Sequence, residues 1–358
     1  MKNKIITIIG TRPEIIKMFP VIKLLDKHFD NYLIWSGQHY DYSMVKNIFA
    51  DVELRKPNIN FKIKKNLLPF FEIQKKIYKL ILQLKPKAII YHGDTFTTLA
   101  SALVSRFFFE KIHNIHIEGG YRSYDKLQIE EQIRFISDHL SKINFVQRKI
   151  DKKTIEKEFP SKNVFAVGNS INDSVNQTLE KLKNNKIIDK NNIKKGNYIY
   201  CTIHRAENTN NKKRFKRIIK VIKYLSAKHK LIIPVHPRLK NKESFLKSTF
   251  NNNVILTTPL PYSDSLYLLN NCLFCFTDSG GIQEEAVILR KKCLIPLDFT
   301  PHNYYLSENS NKILKIENKN YLLNVKKFLQ NSKNKKTKMF YHKKHVSKNI
   351  IRHLKKIL

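Results

Sequence analysis

"KIITIIGTRPEIIK", Lys4 to Lys17, sets the fold of this chain. An apolar run of strand length stops at Gly10, Pro13 suits the first turn of a helix, and apolar residues at helical spacing follow. Strand, turn and helix in that order make the repeating unit of a parallel sheet, because parallel neighbours need a crossover between them. The punctuation recurs at "YLIWSG", "KAIIYHG", "IHIEGG" and "VFAVG". With only 9 glycines in the chain (Gly10, Gly37, Gly93, Gly119, Gly120, Gly168, Gly196, Gly280 and Gly281), their place at the ends of apolar runs carries information.

The second half repeats the pattern with polar turns: "YIYCTIHRAEN", "LIIPVHPR", "VILTTP", "LFCFTDSGG" and "CLIPLDFTP" read as strands, with "KKRFKRIIKVIKYL" and "SDSLYLLNN" as helices among them. The expected fold is α/β, two doubly wound Rossmann-like domains facing a cleft. They occupy residues 1–170 and 197–340, a polar linker fills 171–196, and a closing helix over 341–358 can pack back on the first domain. A chain of 358 residues suits two ordinary domains.

Composition sets further bounds. Hydrophobic residues at 42% and aromatics at 11% describe a globular protein. No apolar run reaches membrane-spanning length and the start has no cleavable leader, so the expected location is cytoplasmic. The net charge of +38 invites a nucleic-acid reading. The basic residues, however, are 12 arginines and 55 lysines spread along the chain. A solvated lysine-rich surface that steers anionic substrates is the stronger reading, and no nucleic-acid partner is expected. Cys201, Cys272, Cys275 and Cys293 include a CxxC pair, but it lies in the strand-like "CLFCF" without a second pair, so neither a metal nor a disulfide is expected.

In open parallel sheets ligands bind at the carboxyl ends of the strands. Arg12, Arg122, Arg134, Arg205 and Arg238 fall in or beside those turns in a chain that otherwise uses lysine. A planar fork there suits anion binding. "HGDTFTTLA" carries Asp94, "IHIEGGYRSYD" ends in Glu118, and "IEEQIRFISDHL" begins with Glu130 and Glu131, one turn before Arg134. Three carboxylates on neighbouring turns repel unless protonated or paired with Arg122 or Arg134, and such crowding is expected to raise a carboxyl pKa. "TIHRAEN" adds His204 and Arg205, and "PVHPR" adds His236. In "TDSGGIQEE", Gly280 and Gly281 admit close backbone approach, the helix start presents amides and Ser279 a hydroxyl, which are the parts of a phosphate site. Glu284 and Glu285, one turn inside, suit ribose hydroxyls. Phosphate and ribose together mean a nucleotide.

Jointly, "GTRPEIIKM", "SGQHYDY", "HGDTFTTLASAL", "HIEGGYRSYD", "EEQIRFISDHLS", "VGNSINDSV", "TIHRAEN", "PVHPR" and "TDSGGIQEEA" resemble the non-hydrolysing UDP-N-acetylglucosamine 2-epimerases, in order from residue 5 to about residue 300. The resemblance implies the two-domain fold of the GT-B glycosyltransferases, UDP held by the C-terminal domain, a homodimer, no cofactor and a role in polysaccharide or glycoconjugate precursor synthesis. It also implies inversion at C2 by elimination and re-addition of UDP through a glycal. Matched motif to motif, Asp94, Glu118, Glu131 and His204 take the catalytic positions. Arg12, Lys17, Arg134, Arg205, Ser279, Gly280, Gly281 and Glu285 take substrate-binding positions, and Gln38, Arg205 and His236 resemble a regulatory UDP-sugar site.

Four departures stand out: Ile133 before Arg134, Ser265 where many members carry an aromatic beside uracil, His302 in place of a UDP-facing arginine, and "KIKKNLLPFFEIQ" without the glycine and glutamine of the regulatory site. Alternatives are a 2-epimerase of a related UDP-2-acetamido sugar, a glycosyltransferase or hydrolysing epimerase on the same fold, and a lysine-rich nucleic-acid-binding protein.

Overall fold

A computed structural model of the chain describes residues 2–38, 42–63, 69–125, 127–160, 162–182, 185–300, 303–306, 310–332 and 345–358. It divides into two compact units, Met1–Gln177 with His342–Leu358, and Thr178–Tyr341.

The first unit holds β1 (Lys4–Ile9), β2 (Asp30–Trp35), β3 (Ile59–Asn60), β4 (Ala88–His92), β5 (His113–Gly119), β6 (Ile143–Val146) and β7 (Asn163–Ala166). All pair in parallel, in the order β3-β2-β1-β4-β5-β6-β7. Ile5, Ile6, Ile8 and Ile9 are all fully buried, as a parallel strand covered on both faces requires. On one face Ile6, Ile8, Ile34, Ile89 and Tyr91 pack with Ile73, Ile77 and Ile81 of the helix Pro69–Leu84 and with Ala100 and Val104 of the helix Phe96–Arg106.

The second unit holds β8 (Tyr198–Thr202), β9 (Lys230–Pro234), β10 (Val254–Thr257), β11 (Phe274–Thr277), β12 (Cys293–Ile295) and β13 (Asn311–Ile313), in the order β10-β9-β8-β11-β12-β13. Strand alternation divides its core. Ile199, Cys201, Phe274 and Phe276 meet Ile218, Val221 and Ile222 of the helix Lys212–Ser226. Tyr198, Tyr200 and Cys275 meet Leu268, Leu269 and Ala286 on the opposite side. All four cysteines are free and buried, and burial pushes the Cys201, Cys272 and Cys275 thiols up.

Both sheets therefore have the Rossmann strand order, and the α/β class stands. Three strands carried no glycine punctuation and escaped the sequence reading: β3 has two residues, β13 three, and β6 ("INFV") runs on into "QRK". The stretch 171–196, expected as a polar linker, contains the helices Ile171–Lys181 and Ile187–Lys190, and Ile188 and Ile193 are core residues of the second unit. Two apolar side chains in a polar stretch suffice to pin it. Among the described residues, no helix is long and apolar enough to cross a membrane.

The last helix, Val346–Ile357, belongs to the first unit, where it packs on the helix Arg12–His28. Ile350 and Leu354 are fully buried. Its N-cap residue, His345, is left-handed (φ 59°) and supplies no side-chain cap. Asp173 fills that role, its carboxylate accepting from the Val346 amide at 3.3 Å and the Ser347 amide at 2.7 Å. Asp173→Ala is expected to lower stability by about 1 kcal/mol, the usual worth of such a cap; a urea midpoint equal to wild type would remove the cap from this account.

Candidate functional site

In the first sheet the strand order reverses between β1 and β4, and the turns and helix starts there carry Arg12, Lys17 and Asp94. After β1, Glu14 folds back so that its carboxylate accepts from the Gly10 and Thr11 amides, both at 2.7 Å, and from Thr95 Oγ at 3.0 Å. The first turn is thereby tied to the helix start after β4. Burial pushes Glu14 above the usual carboxylate range despite these donors. Gly10 has no room for a side chain, since a Cβ would stand 2.2 Å from Ser36 Oγ and 2.3 Å from Thr97 Oγ.

Glu118 sits where β5 loses register with β6, in the left-handed region at φ 73°. Such a backbone is costly for a glutamate and is held only by what surrounds it. Lys17 Nζ donates to both Glu118 oxygens, at 2.7 and 2.9 Å, and His92 Nε2 lies 3.1 Å from Oε2. Burial would raise this carboxyl, yet the Lys17 ammonium, donating to both oxygens, outweighs it and leads in holding Glu118 below its ordinary value. Arg134 forks between Asp94 and Glu131, the latter at 2.7 Å. Glu131 also accepts from the Ser123 amide and hydroxyl at 2.9 Å each and the Tyr124 amide at 3.0 Å. Against the cost of burial, those amides and Arg134 keep Glu131 low.

Two expectations are corrected here. Crowding does not raise the pKa of Glu118 or Glu131: Lys17 holds Glu118, Arg134 is shared by Asp94 and Glu131, and Glu118 and Glu131 both lie below the ordinary carboxylate value. Arg122 does not join them either. It pairs with Asp138 and Glu158, both at 2.7 Å. Asp138, on the helix Ile129–Leu140 and fully buried, also accepts from the Gly120 amide at 2.9 Å and lies 2.8 Å from His116 Nδ1. The other His116 nitrogen reaches the Gly93 carbonyl at 2.7 Å. One carboxylate thus ties the turn after Glu118 to the turn before Asp94. Gly120 is left-handed at φ 80°, with the Asp151 carbonyl 2.7 Å from where a Cβ would stand.

Lys17, Gln38, His92, Asp94, Glu118 and Glu130 line a pocket of about 290 Å³. Gln38, matched to a regulatory site by sequence, is here a wall of that pocket, its Oε1 accepting from the Thr97 amide and hydroxyl at 2.9 and 2.8 Å. Arg12 is exposed at the start of its helix. His92, Glu14, His116 and Asp138 were not singled out as site residues. His92 and Glu14 lie inside motifs quoted above, one residue before Gly93 and one after Pro13, so position was the available signal.

In the second unit the corresponding reversal lies between β8 and β11. Asp278, fully buried, accepts from the His204 and Arg205 amides and from Asn208 Nδ2, each at 3.0 Å, and faces His204 Nδ1 at 3.1 Å. His204 draws Asp278 below the usual range against its burial. Nδ1 is thereby committed, and Nε2 is the nitrogen left for other work. The His236 ring lies 5.1 Å from that of His204, and Arg238 donates to the His204 carbonyl at 3.2 Å. Arg205 stands 3.7 Å from Glu207.

Ser279 caps the helix Gly280–Ile288, accepting from the Ile282 amide at 3.5 Å. A Cβ at Gly281 would meet nothing within 4 Å, so no protein atom demands glycine there. Glu285 is buried in the helix. Ser265 hydrogen-bonds the Tyr200 hydroxyl at 2.7 Å. His302, and His39 to Asp41 of "SGQHYDY", lie outside the described residues, as do residues 64–68 of "KIKKNLLPFFEIQ". Among the described residues no group of histidine, cysteine and acidic side chains could hold a metal.

A family model for UDP-N-acetylglucosamine 2-epimerase matches residues 23–355. The chain belongs to this family. A UDP-N-acetylglucosamine 2-epimerase homolog of Methanococcus maripaludis is 36% identical over 91% of this chain and 92% of its own. The UDP-N-acetylglucosamine 2-epimerase of Methanocaldococcus jannaschii is 35% identical over 92% and 93%. A crystal structure of the M. jannaschii UDP-GlcNAc 2-epimerase in complex with UDP-GlcNAc and UDP is similar over 99% of both chains, with a TM-score of 0.85 at 33% identity.

The lowered carboxyls Asp138, Glu131, Glu118 and Asp278 contribute stability above their unfolded pKa and lose it as pH falls through the folded value. Glu14, raised, has the opposite sign: its contribution is present at low pH and lost as pH rises. Stability is therefore expected to fall steeply below about pH 4. Asp138→Asn should flatten part of that slope and cost about 3 kcal/mol at neutral pH, as for a broken buried pair. Denaturant titrations across pH check both, and an unchanged slope would contradict the clamp.

Proposed function

We propose that this protein interconverts UDP-N-acetylglucosamine and UDP-N-acetylmannosamine by eliminating and re-adding UDP. The observation that carries the proposal is the set of cation-paired carboxylates in the first unit, Glu118 on Lys17 and Asp94 with Glu131 on Arg134, of which Lys17, Asp94 and Glu118 line one pocket. Inversion at C2 of a sugar needs proton-transfer groups toward both faces. Ionised carboxylates held by cations provide acceptors, and the same cations are available to the diphosphate. In this scheme Glu118 removes the C2 proton, and on the other face Asp94 or Glu131 takes up a proton from water and delivers it to C2 as UDP re-adds at C1. Arg12, Lys17 and Arg134 answer sugar and diphosphate charge.

The second unit supplies the hold on UDP. The amides at Gly280 and Gly281, capped by Ser279, form the diphosphate turn, Glu285 serves the ribose, and Arg205 adds charge. His204, oriented by Asp278, presents Nε2 to the diphosphate or to the leaving oxygen. The regulatory role that the family resemblance implies is proposed for Arg205 and His236 of the second unit, while Gln38 lies in the wall of the Glu118 pocket. The protein is proposed to work in the cytoplasm as a homodimer. Support for the dimer comes from the helix Pro69–Leu84, where Phe71, Tyr78 and Leu82 are exposed on one face.

Incubation with UDP-N-acetylglucosamine in deuterated water should exchange the C2 proton and produce the manno epimer, both visible by proton NMR. Unchanged substrate would end the assignment. Asp94→Asn and Glu118→Gln are expected to lose turnover by at least ~100-fold, the ordinary scale for acid–base groups, while UDP binding by calorimetry persists. Full activity in either variant would remove that residue from the scheme. Sedimentation should give twice the 42.4 kDa chain mass; a monomer at micromolar concentration would refute the dimer.

A further inference from the structure

Among the described residues His92 is the one buried histidine lining the Glu118 pocket, and nothing in the scheme above uses it. It ends β4 with its side chain 3% exposed. Neither ring nitrogen makes an aligned hydrogen bond with a described residue, although Nε2 stands 3.1 Å from Glu118 Oε2. A buried imidazole left in that state is costly unless it has work to do. Contacts of catalytic groups often tighten only when substrate is bound.

We propose that His92 is the proton acceptor behind Glu118, taking on Nε2 the proton that Glu118 draws from the sugar. The inference rests on the epimerase reading. The C2–H bond breaks and its electron pair becomes the C1–C2 double bond. The C1–O bond breaks with its pair leaving on UDP. The proton lands on Glu118 Oε2 and moves to His92 Nε2, which becomes imidazolium, and Glu118 returns to the carboxylate that Lys17 holds through both oxygens. A carboxylate held so firmly ionised is a poor resting place for a proton, and the adjacent imidazole is a better one. Reversal of the same steps returns the proton to the same face.

The charged surroundings of His92 come from several elements. Glu118 and the His116–Asp138 pair lie on or beside β5, and Glu14 and Lys17 on the helix after β1. Asp94 and Glu130 line the same pocket.

The test compares wild type with His92→Gln and His92→Asn, which keep a polar side chain but cannot take a proton near neutral pH. C2 exchange from UDP-N-acetylglucosamine in deuterated water should lose about 100-fold in kcat with KM within about threefold, and one ionisation should vanish from the kcat profile. Turnover near wild type, or a uniform loss with every ionisation retained, would overturn the proposal. Melting temperatures screen each variant for folding. A second readout needs no turnover: in the proton NMR of the wild-type protein, the imidazole resonance missing from His92→Gln should shift its titration in Glu118→Gln. No response to Glu118 would also overturn it. If wild type fails to exchange C2 at all, the substrate assignment fails, and the NMR coupling still decides whether His92 is the partner of Glu118.

Discussion

Asp138 is the interaction on which the first unit's chemistry depends. Its carboxylate receives Arg122 and the Gly120 amide, and through His116 it reaches the Gly93 carbonyl. The two turns that carry Asp94 and Glu118 are thus referenced to a single buried charge. Through the Gly120 amide it holds the chain two residues after Glu118, at a break in strand register, and with Lys17 it helps keep Glu118 in a left-handed backbone. Catalytic geometry must be held to fractions of an ångström, and a fully desolvated, multiply bonded carboxylate on a helix is a stiff way to do so.

Asp278 plays the same part in the second unit. It fixes the turn of His204 and Arg205 through their amides and takes up one imidazole nitrogen. Each unit thus has one buried aspartate that ties together turns at the carboxyl ends of its strands. The candidate site residues are positioned by residues that lie behind them.

Much of this was legible in the sequence, for identifiable reasons. Apolar runs closed by a scarce glycine marked β1, β4 and β5, because a turn at a strand end needs a freedom that other residues lack. Arginine amid lysine marked Arg134, whose fork bridges two carboxylates as a single ammonium could not. What escaped was the pairing. The same reasoning gave Arg122 to the site, and it belongs to Asp138; of the outcomes it offered for crowded carboxylates, pairing with Arg134 is the one found for Asp94 and Glu131, while Glu118 is held by Lys17. One-dimensional spacing shows which residues share a turn, but not which of several cations reaches which anion across a sheet. His92 was hidden for a related reason, since a histidine closing an apolar strand has the pattern of a packing residue until its neighbours are known.

The helix Val346–Ile357 completes the first unit, yet the ribosome makes it only after the whole second unit, Thr178–Tyr341. At roughly 5–20 residues per second, the nascent first unit waits on the order of 10–30 s with the surface of the helix Arg12–His28 uncovered. During that interval the apolar surface that Ile350 and Leu354 later cover stays open to solvent. How long it stays open is set by translation speed through the second unit, independent of how stable the finished protein is.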